Sequence, residues 1–452
     1  MSSVSSSRGI AALVIGDIIA YLASLVFTLA IRYGAIPGKH LLATHLIPFG
    51  ILFVVFLLVS LSAGLYDKQA ALIRGRVQGL LIKVQIANAM IGVLFFYIMP
   101  VAIAPKANLA IYFVISTILL YVWRMIMFPV INSSRKQAAI LIGSGDDVQD
   151  LHDEINGNAR YSLIFKEQIV PKPSVAETVA TVSDAVKRAN ASIVIADLHD
   201  QKIESAMPFL YSLIFSGVQI IDASKFYEAI FDRIPISLVG ERWLVENSAS
   251  ALGNRRVFDV LKRAMDIVIA GIIGLISLIV YPFVYVAIKL DDHGPIFVTQ
   301  DRTGKNGKIV TFYKFRSMSG NDQGKYGNDG ASKFNVTRVG KFIRNTRIDE
   351  LPQLWNVVKG DLSLIGPRPE FPSLIHVYKK EIPYYNARHL VKPGLSGWAQ
   401  IYHENHPHHE VDTEEARNKL SYDLYYIKNR SLTLDLKIAF RTIQILMKRV
   451  GK

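Results

Sequence analysis

Four long apolar runs in the first third of the chain constrain its fold more than any other feature: about Ile10 to Ile31, Leu46 to Leu65, Val84 to Ile103 and Leu109 to Ile131. Each is ~20 residues, the length at which a helix crosses ~30 Å of hydrocarbon while satisfying its own backbone. The expected result is a transmembrane four-helix bundle over residues 1–135. The first run is long for a cleaved signal peptide, lacks a small-residue cleavage site and is followed by three more runs. Lys68, Arg74, Arg76 and Lys83 lie between runs two and three, and Arg135 and Lys136 follow run four; the other loops hold only Arg32, Lys39 and Lys106. By the positive-inside rule the N-terminus, the second loop and everything after run four are expected in the cytoplasm. Asp17 and Arg124 fall inside runs, which marks either a polar site or, the favoured reading, a structural pairing or snorkelling role.

Charge then divides the chain. Residues 1–132 carry 9 basic and 2 acidic residues (+7), 133–254 carry 11 and 16 (−5), and 255–452 carry 31 and 19 (+12). A basic surplus on its own points equally to nucleic acid, anionic lipid or an anionic substrate. With no cysteine in 452 residues, a disulfide framework, a thiolate metal site and a cysteine nucleophile are excluded. Residues 136–250 alternate short apolar stretches with polar helical ones, the pattern of a parallel α/β, Rossmann-like domain. Gly143-Ser144-Gly145 resembles half of a dinucleotide fingerprint, but Val148 replaces the third glycine and Asp146 and Asp147 would repel a pyrophosphate. A structural or regulatory domain is the favoured reading over a nucleotide site.

A fifth apolar run, 264–290, is interrupted by Pro282 and has basic residues on both flanks: Arg255, Arg256, Lys262 and Arg263 before it, Lys289, Arg302, Lys305 and Lys308 after it. A straight span would carry a basic region outside, and proline removes a helical hydrogen bond. The favoured reading is a re-entrant helix that bends near Pro282 and returns to the cytoplasmic face, with simple spanning as the alternative. At the end of the chain Lys437, Arg441, Gln444 and Lys448 form a polar stripe on an otherwise apolar helix, fitting a headgroup-level helix or a soluble surface helix.

The chemistry concentrates in 255–452, expected to be mixed and mostly α. Lys314 and Arg316 form a basic cluster. Asp349 and Glu350 stand ahead of Pro352 and a helix that stops near Gly360, where the helix dipole favours ionised carboxylates. Arg344, Arg347 and Arg368 surround them in sequence, with Arg368 stiffened between Pro367 and Pro369. Adjacent acids among arginines suit a divalent cation and a diphosphate together. Taken alone, the same pattern is more often helix capping.

The whole segment from about Lys262 onward resembles the bacterial sugar transferase family, the monotopic polyprenyl-phosphate phosphoglycosyl transferases. The resemblance rests on Lys262-Arg263 with Asp266, GPIF, KFRSM, DELPQLWNVVKGDLSLIGPRP, VKPGLSGWAQ and YDLYYIKNRSLTLDLKI. The N-terminal bundle and the α/β domain resemble the long form of that family. The resemblance implies transfer of a sugar 1-phosphate from a nucleotide diphospho-sugar, commonly a UDP-sugar, to undecaprenyl phosphate, as the first membrane step of exopolysaccharide or O-antigen synthesis. Asp349 falls on the nucleophile that forms an aspartyl phospho-sugar and expels UMP; Glu350 falls on its partner, associated with Mg²⁺. Lys314, Arg316, Arg344, Arg368, Asp423 and Asp435 are taken as substrate- or phosphate-binding positions. The implied setting is the cytoplasmic face of a bacterial inner membrane, with the bilayer but no nucleic acid as partner, and compatible with a homo-oligomer. After Gln400, where relatives carry a short loop with glycine and arginine, this chain reads IYHENHPHHEVDTEEARNKL; His403, His406, His408, His409, Glu404 and Glu410 are expected in a solvated loop rather than a metal site. Two other classes remain open: a membrane-anchored nucleotide-binding regulator or assembly protein of polysaccharide export, and a spanning transporter or flippase.

Overall fold

The computed structural model describes residues 7–63, 65–66, 74–98, 106–132, 136–158, 161–252, 256–319, 335–402 and 412–450. The histidine-rich stretch 403–410 lies outside them, as do Lys68, Arg135 and Arg255. The chain forms two compact units, residues 1–226 and 227–452.

The apolar runs fold into α1 (Ser7–Tyr33), α2 (Lys39–Ser62), α3 (Arg74–Ile98) and α4 (Lys106–Asn132), each containing a stretch long and apolar enough to cross a membrane. Large apolar side chains such as Ile19, Ile47, Val54, Met90 and Val114 face outward, the reverse of what water would select. Inside the bundle an aromatic core of Tyr21, Phe49, Phe53, Phe56 and Tyr112 is threaded by polar pairs. Asp17 and Arg124, both buried, form an ion pair between α1 and α4. Tyr66 donates to Asp17 at 2.6 Å and Arg124 also donates to the Leu65 carbonyl. The pairing expected for these two residues is therefore what the bundle contains: in hydrocarbon each charge needs the other.

Beyond the bundle a four-stranded parallel sheet has the order β2-β1-β3-β4, with β1 (Gln137–Ile142), β2 (Leu163–Ile169), β3 (Ile193–Ala196) and β4 (Gln219–Asp222). The helices between the strands are α5 (Asp146–Gly157), α6 (Val175–Ala189), α7 (Gln201–Glu204) and α8 (Met207–Phe215). The near-continuous apolar strands, with Ile140, Val194, Ile195 and Ala196 fully buried, are those of a sheet covered on both faces. Gly143 to Gly145 form the turn from β1 into α5, whose first turn holds Asp146 and Asp147.

After α9 (Ala223–Phe231), the stretch read from sequence as the end of the α/β domain packs within the second unit. Ile234 and Ser421 exchange hydrogen bonds, and the Trp398 indole donates to the Asp232 carbonyl at 2.8 Å. Trp243, in α10 (Glu241–Leu252), joins Tyr385, Trp398, Leu420 and Tyr426 in the main core of this unit. The fifth apolar run is two helices, α11 (Arg256–Ser277) and α12 (Tyr281–Asp291), bent by 57° at the break between them. Pro282 sits in the first turn of α12, where its missing N–H costs nothing, so the break falls just ahead of it. Ile272, Leu275, Ile276, Ile279, Phe283 and Leu290 are exposed around this bend.

α11 is tied down by its polar residues. Arg263 donates to the carbonyls of Val357 and Val358 at 2.6 and 2.7 Å. Asp266 accepts from the Ser363 hydroxyl and the Leu364 N–H at 2.8 and 3.1 Å. Lys262 meets Asp435 at 2.6 Å. The remaining elements are the antiparallel hairpin β5 (Phe297–Thr303) and β6 (Ile309–Phe315), α13 (Arg338–Asn345), α14 (Gln353–Lys359), the parallel pair β7 (Ser363–Ile365) and β8 (Gly394–Ser396), α15 (Pro372–Glu381), α16 (Trp398–Tyr402), α17 (Thr413–Asn429) and α18 (Leu432–Val450).

Candidate active site

The site begins with a reversal of the chain. α13 is capped by Thr346, and Arg347 adopts φ 55°, a left-handed conformation uncommon for a non-glycine residue. This turns the chain into the 3₁₀ turn Ile348–Glu350, directly ahead of α14. The position of α14 is set by Asn356, fully buried, whose side chain stands in for a neighbouring strand: it donates to the Thr311 carbonyl at 2.9 Å and accepts from Tyr313 N–H at 3.3 Å. Leu354 and Val357 pack with Phe312 and Ala270 on the same side. Lys314, two residues along β6 from Phe312, is thereby brought to the acidic turn.

The two acids occupy different settings. Glu350 lies 3.1 Å from Arg368, 3.6 Å from Arg347 and 3.8 Å from Lys314. Asp349 is buried, with Arg344, Lys314 and Arg368 near enough to act on its charge. Burial, and then the charge of Glu350, push the Asp349 carboxyl up to about 6. Burial works upward on Glu350 too, but Arg368, Lys314 and Arg347 outweigh it and hold that carboxyl down to about 2. From sequence, the helix dipole is expected to favour the ionised form of both acids. For Asp349, burial and the neighbouring carboxylate prevail over the short, seven-residue α14. Burial pulls the Lys314 ammonium down, partly offset by Glu350. Four cations around two carboxylates leave the turn with a positive surplus, suited to a polyanionic ligand.

Arg368 reaches this turn from a loop whose backbone is held at every carbonyl. Pro367 accepts from Gly394 N–H at 2.9 Å, Arg368 from Arg388 at 3.1 Å, Pro369 from Arg302 at 3.4 Å and Glu370 from Thr303 N–H at 2.9 Å. Just beyond β7, Gly366 lies against Gly394 at the start of β8. A Cβ on Gly394 would stand 2.1 Å from the Gly366 nitrogen, so the two backbones approach only because neither residue has a side chain.

Of the residues singled out from sequence, Lys314, Arg344, Arg347, Asp349, Glu350 and Arg368 converge. The others lie in pairs of their own. Arg316 is engaged by Asp292 at 2.8 Å, with Gly294 against its guanidinium. Asp435 is bound by Lys262 and Tyr426. Asp423, buried, meets Arg388 at 2.7 Å. The sequence does not single out Arg388, Glu370, Tyr385 or Asn356, and Arg302 figures there only as a basic flank of the fifth apolar run; the local signal for Tyr385 and Arg388 is charge inserted between aromatic and apolar residues at 384–391. Among the described residues no three His, Asp or Glu side chains converge as a metal site. Two acidic side chains completed by phosphate oxygens remain the kind of hard-oxygen set that Mg²⁺ accepts.

Residues 257–449 match the bacterial sugar transferase family. A UDP-N-acetylgalactosamine-undecaprenyl-phosphate N-acetylgalactosaminephosphotransferase of Aeromonas hydrophila is 40% identical over 263 residues, covering 57% of this chain and 59% of the relative. A UDP-glucose:undecaprenyl-phosphate glucose-1-phosphate transferase of Escherichia coli K12 is 41% identical over 186 residues, 41% of this chain and 39% of the relative. The uncharacterized sugar transferase EpsL of Bacillus subtilis is 38% identical over 185 residues that make up 86% of its length. The chain belongs to the bacterial sugar transferase family. Its match spans a little over half of the Aeromonas protein and well under half of the E. coli one.

Proposed function

We propose that the protein transfers a sugar 1-phosphate from a UDP-sugar to undecaprenyl phosphate, through covalent catalysis by Asp349, in exopolysaccharide or O-antigen synthesis. The observation that carries this reading is the pair of buried Asp349 and half-buried Glu350 set among Lys314, Arg344, Arg347 and Arg368 in a chain of this family. With its carboxyl near 6, Asp349 is mostly ionised at neutral pH. An Asp349 oxygen attacks the β-phosphorus; the new O–P bond forms as the bond from β-phosphorus to the bridging oxygen breaks, and that oxygen leaves with UMP. An oxygen of undecaprenyl phosphate then attacks the same phosphorus and releases the Asp349 carboxylate. Arg368 and Lys314 neutralise charge on the phosphoryl oxygens, where catalysis is chiefly positioning and electrostatics. Mg²⁺, held by Asp349 and Glu350 with the diphosphate, would supply further charge neutralisation.

The α11–α12 pair is read as a re-entrant helix on the cytoplasmic face of a bacterial inner membrane. Its 57° bend, its exposed apolar surface and its basic flanks support this. On α18 the exposed Leu436, Phe440, Ile443 and Met447, spaced 4, 3 and 4, support a helix lying at the headgroups. The parallel sheet with its Gly143 turn is read as Rossmann-like in architecture, with a structural or regulatory role.

Membranes containing the protein are expected to release UMP from UDP-N-acetylgalactosamine or UDP-glucose in the presence of Mg²⁺, with a lipid product of matching mass. Asp349→Asn is expected to abolish release. Undiminished turnover by that variant would sink the nucleophile assignment.

A further inference from the structure

Arg388 is almost fully buried, which is costly for a guanidinium unless its donors are all used. It sits on the 3₁₀ segment Tyr385–Leu390, at the centre of a cluster of carboxylates and a phenol. One terminal nitrogen meets Glu370 at 2.7 Å and the Tyr385 hydroxyl at 2.5 Å. The other meets Asp423 at 2.7 Å and donates to the Arg368 carbonyl at 3.1 Å. Tyr385 in turn donates its hydroxyl hydrogen to Glu370. A purely structural cluster would close on itself. This one spends a donor on the backbone of the residue whose side chain reaches Glu350 at 3.1 Å.

The proline neighbours make that bond consequential. Pro367 and Pro369 restrict φ, and Pro369 carries no N–H, so the peptide joining Arg368 to Pro369 is oriented through the Arg368 carbonyl alone. Gly394 N–H and Thr303 N–H hold the ends of the turn. Arg302, lying over the Phe371 ring, holds Pro369 more loosely at 3.4 Å. The Arg368 carbonyl depends on Arg388, and Arg388 is oriented by Glu370 and Asp423 from opposite ends of its fork.

We propose that Arg388, oriented by Glu370 and Asp423, is a positioning residue that acts through the Arg368 carbonyl to hold the Arg368 guanidinium on the reacting phosphates. Asp423 thereby becomes a support for Arg388 and not a group that touches substrate. The inference rests on the sugar-phosphate transfer proposed above, since it gives Arg368 its task. Lysine at 388 keeps the charge but loses the fork that reaches two carboxylates and a carbonyl together. A displacement of ~1 Å at a phosphate-binding group is enough to slow a positioned reaction by ~10²-fold.

The test is a double-mutant cycle on the full-length protein in membranes, read as UMP release from UDP-N-acetylgalactosamine or UDP-glucose, whichever the parent uses. Arg388→Lys is expected to lower kcat by about 10- to 100-fold with donor KM changed less than about threefold. In an Arg368→Ala background the same change is expected to cost less than about twofold, because the group it positions is gone. Asp423→Asn serves as the second variant and is expected to show the same dependence on Arg368, more weakly. An equal penalty in both backgrounds overturns the proposal, as does a loss confined to folding in both variants. If Arg368→Ala alone is fully active, the assigned task of Arg368 fails instead, which separates that outcome from the role of Arg388.

Discussion

Asp349 and Glu350 are adjacent in sequence, yet their carboxyls are displaced in opposite directions from the usual carboxylate range, because one is buried beside a negative charge and the other is surrounded by cations. The division suits two roles for two chemically similar groups. Asp423 shows a third environment. Arg388 is shared between buried Asp423 and half-buried Glu370; burial pushes the Asp423 carboxyl up to about 6, with Glu370 adding to the rise and Arg388 and Lys419 opposing it. The folded state therefore holds this proton more tightly than the unfolded chain does. The corresponding stability is fully present below about pH 4 and is lost as pH rises through about 6. Asparagine at this position cannot ionise. The unfolding midpoint of Asp423→Asn relative to the parent is expected to rise between pH 5 and pH 7, measured by thermal unfolding in detergent; a constant difference would refute this titration.

Among the elements, α11 illustrates how a helix with an apolar exterior is anchored to a polar domain. Its inward face presents Asp266, which meets the hydroxyl of Ser363 and the N–H of Leu364 at the start of β7. Asp266→Ala leaves the Leu364 N–H without its acceptor, while the Ser363 hydroxyl keeps the Ile365 carbonyl, and is expected to destabilise the second unit by about 1–3 kcal/mol, read as a lower denaturant midpoint. No change in midpoint would show that α11 is held by packing alone. The same dependence on distant partners limits what local sequence specifies about the elements. The apolar runs, the parallel sheet and the helix start at Pro352 follow from local periodicity and punctuation. The association of Ile234 with Ser421, or of Asp232 with Trp398, joins positions more than 160 residues apart and leaves no local trace.

At the scale of the whole chain, a re-entrant α11–α12 pair requires the segments before and after the bend to lie on one side of the membrane. The chain has no cysteine, so single introduced cysteines report without background. Cysteines at Val257, before the bend, and His293, after it, are expected to react with an impermeant maleimide from the same, cytoplasmic side. Labelling from opposite sides would make α11 and α12 one spanning segment and exclude the re-entrant reading.

Apolar run length, basic flanks and motif spacing suffice to read four membrane-length helices, a parallel α/β segment and the family, because these properties reside in short stretches of chain. The acids and most of the arginines at the candidate site were legible for the same reason. Which charged residues meet was not. Arg316 pairs with Asp292, Asp435 with Lys262, and Asp423 with Arg388, while the Arg368 carbonyl is held by a residue twenty positions away. Those choices depend on the close approach of Gly366 and Gly394, on the left-handed turn at Arg347 and on how deeply each charge is buried. Electrostatic strength depends on distance and local dielectric, and both are created only when the chain has packed.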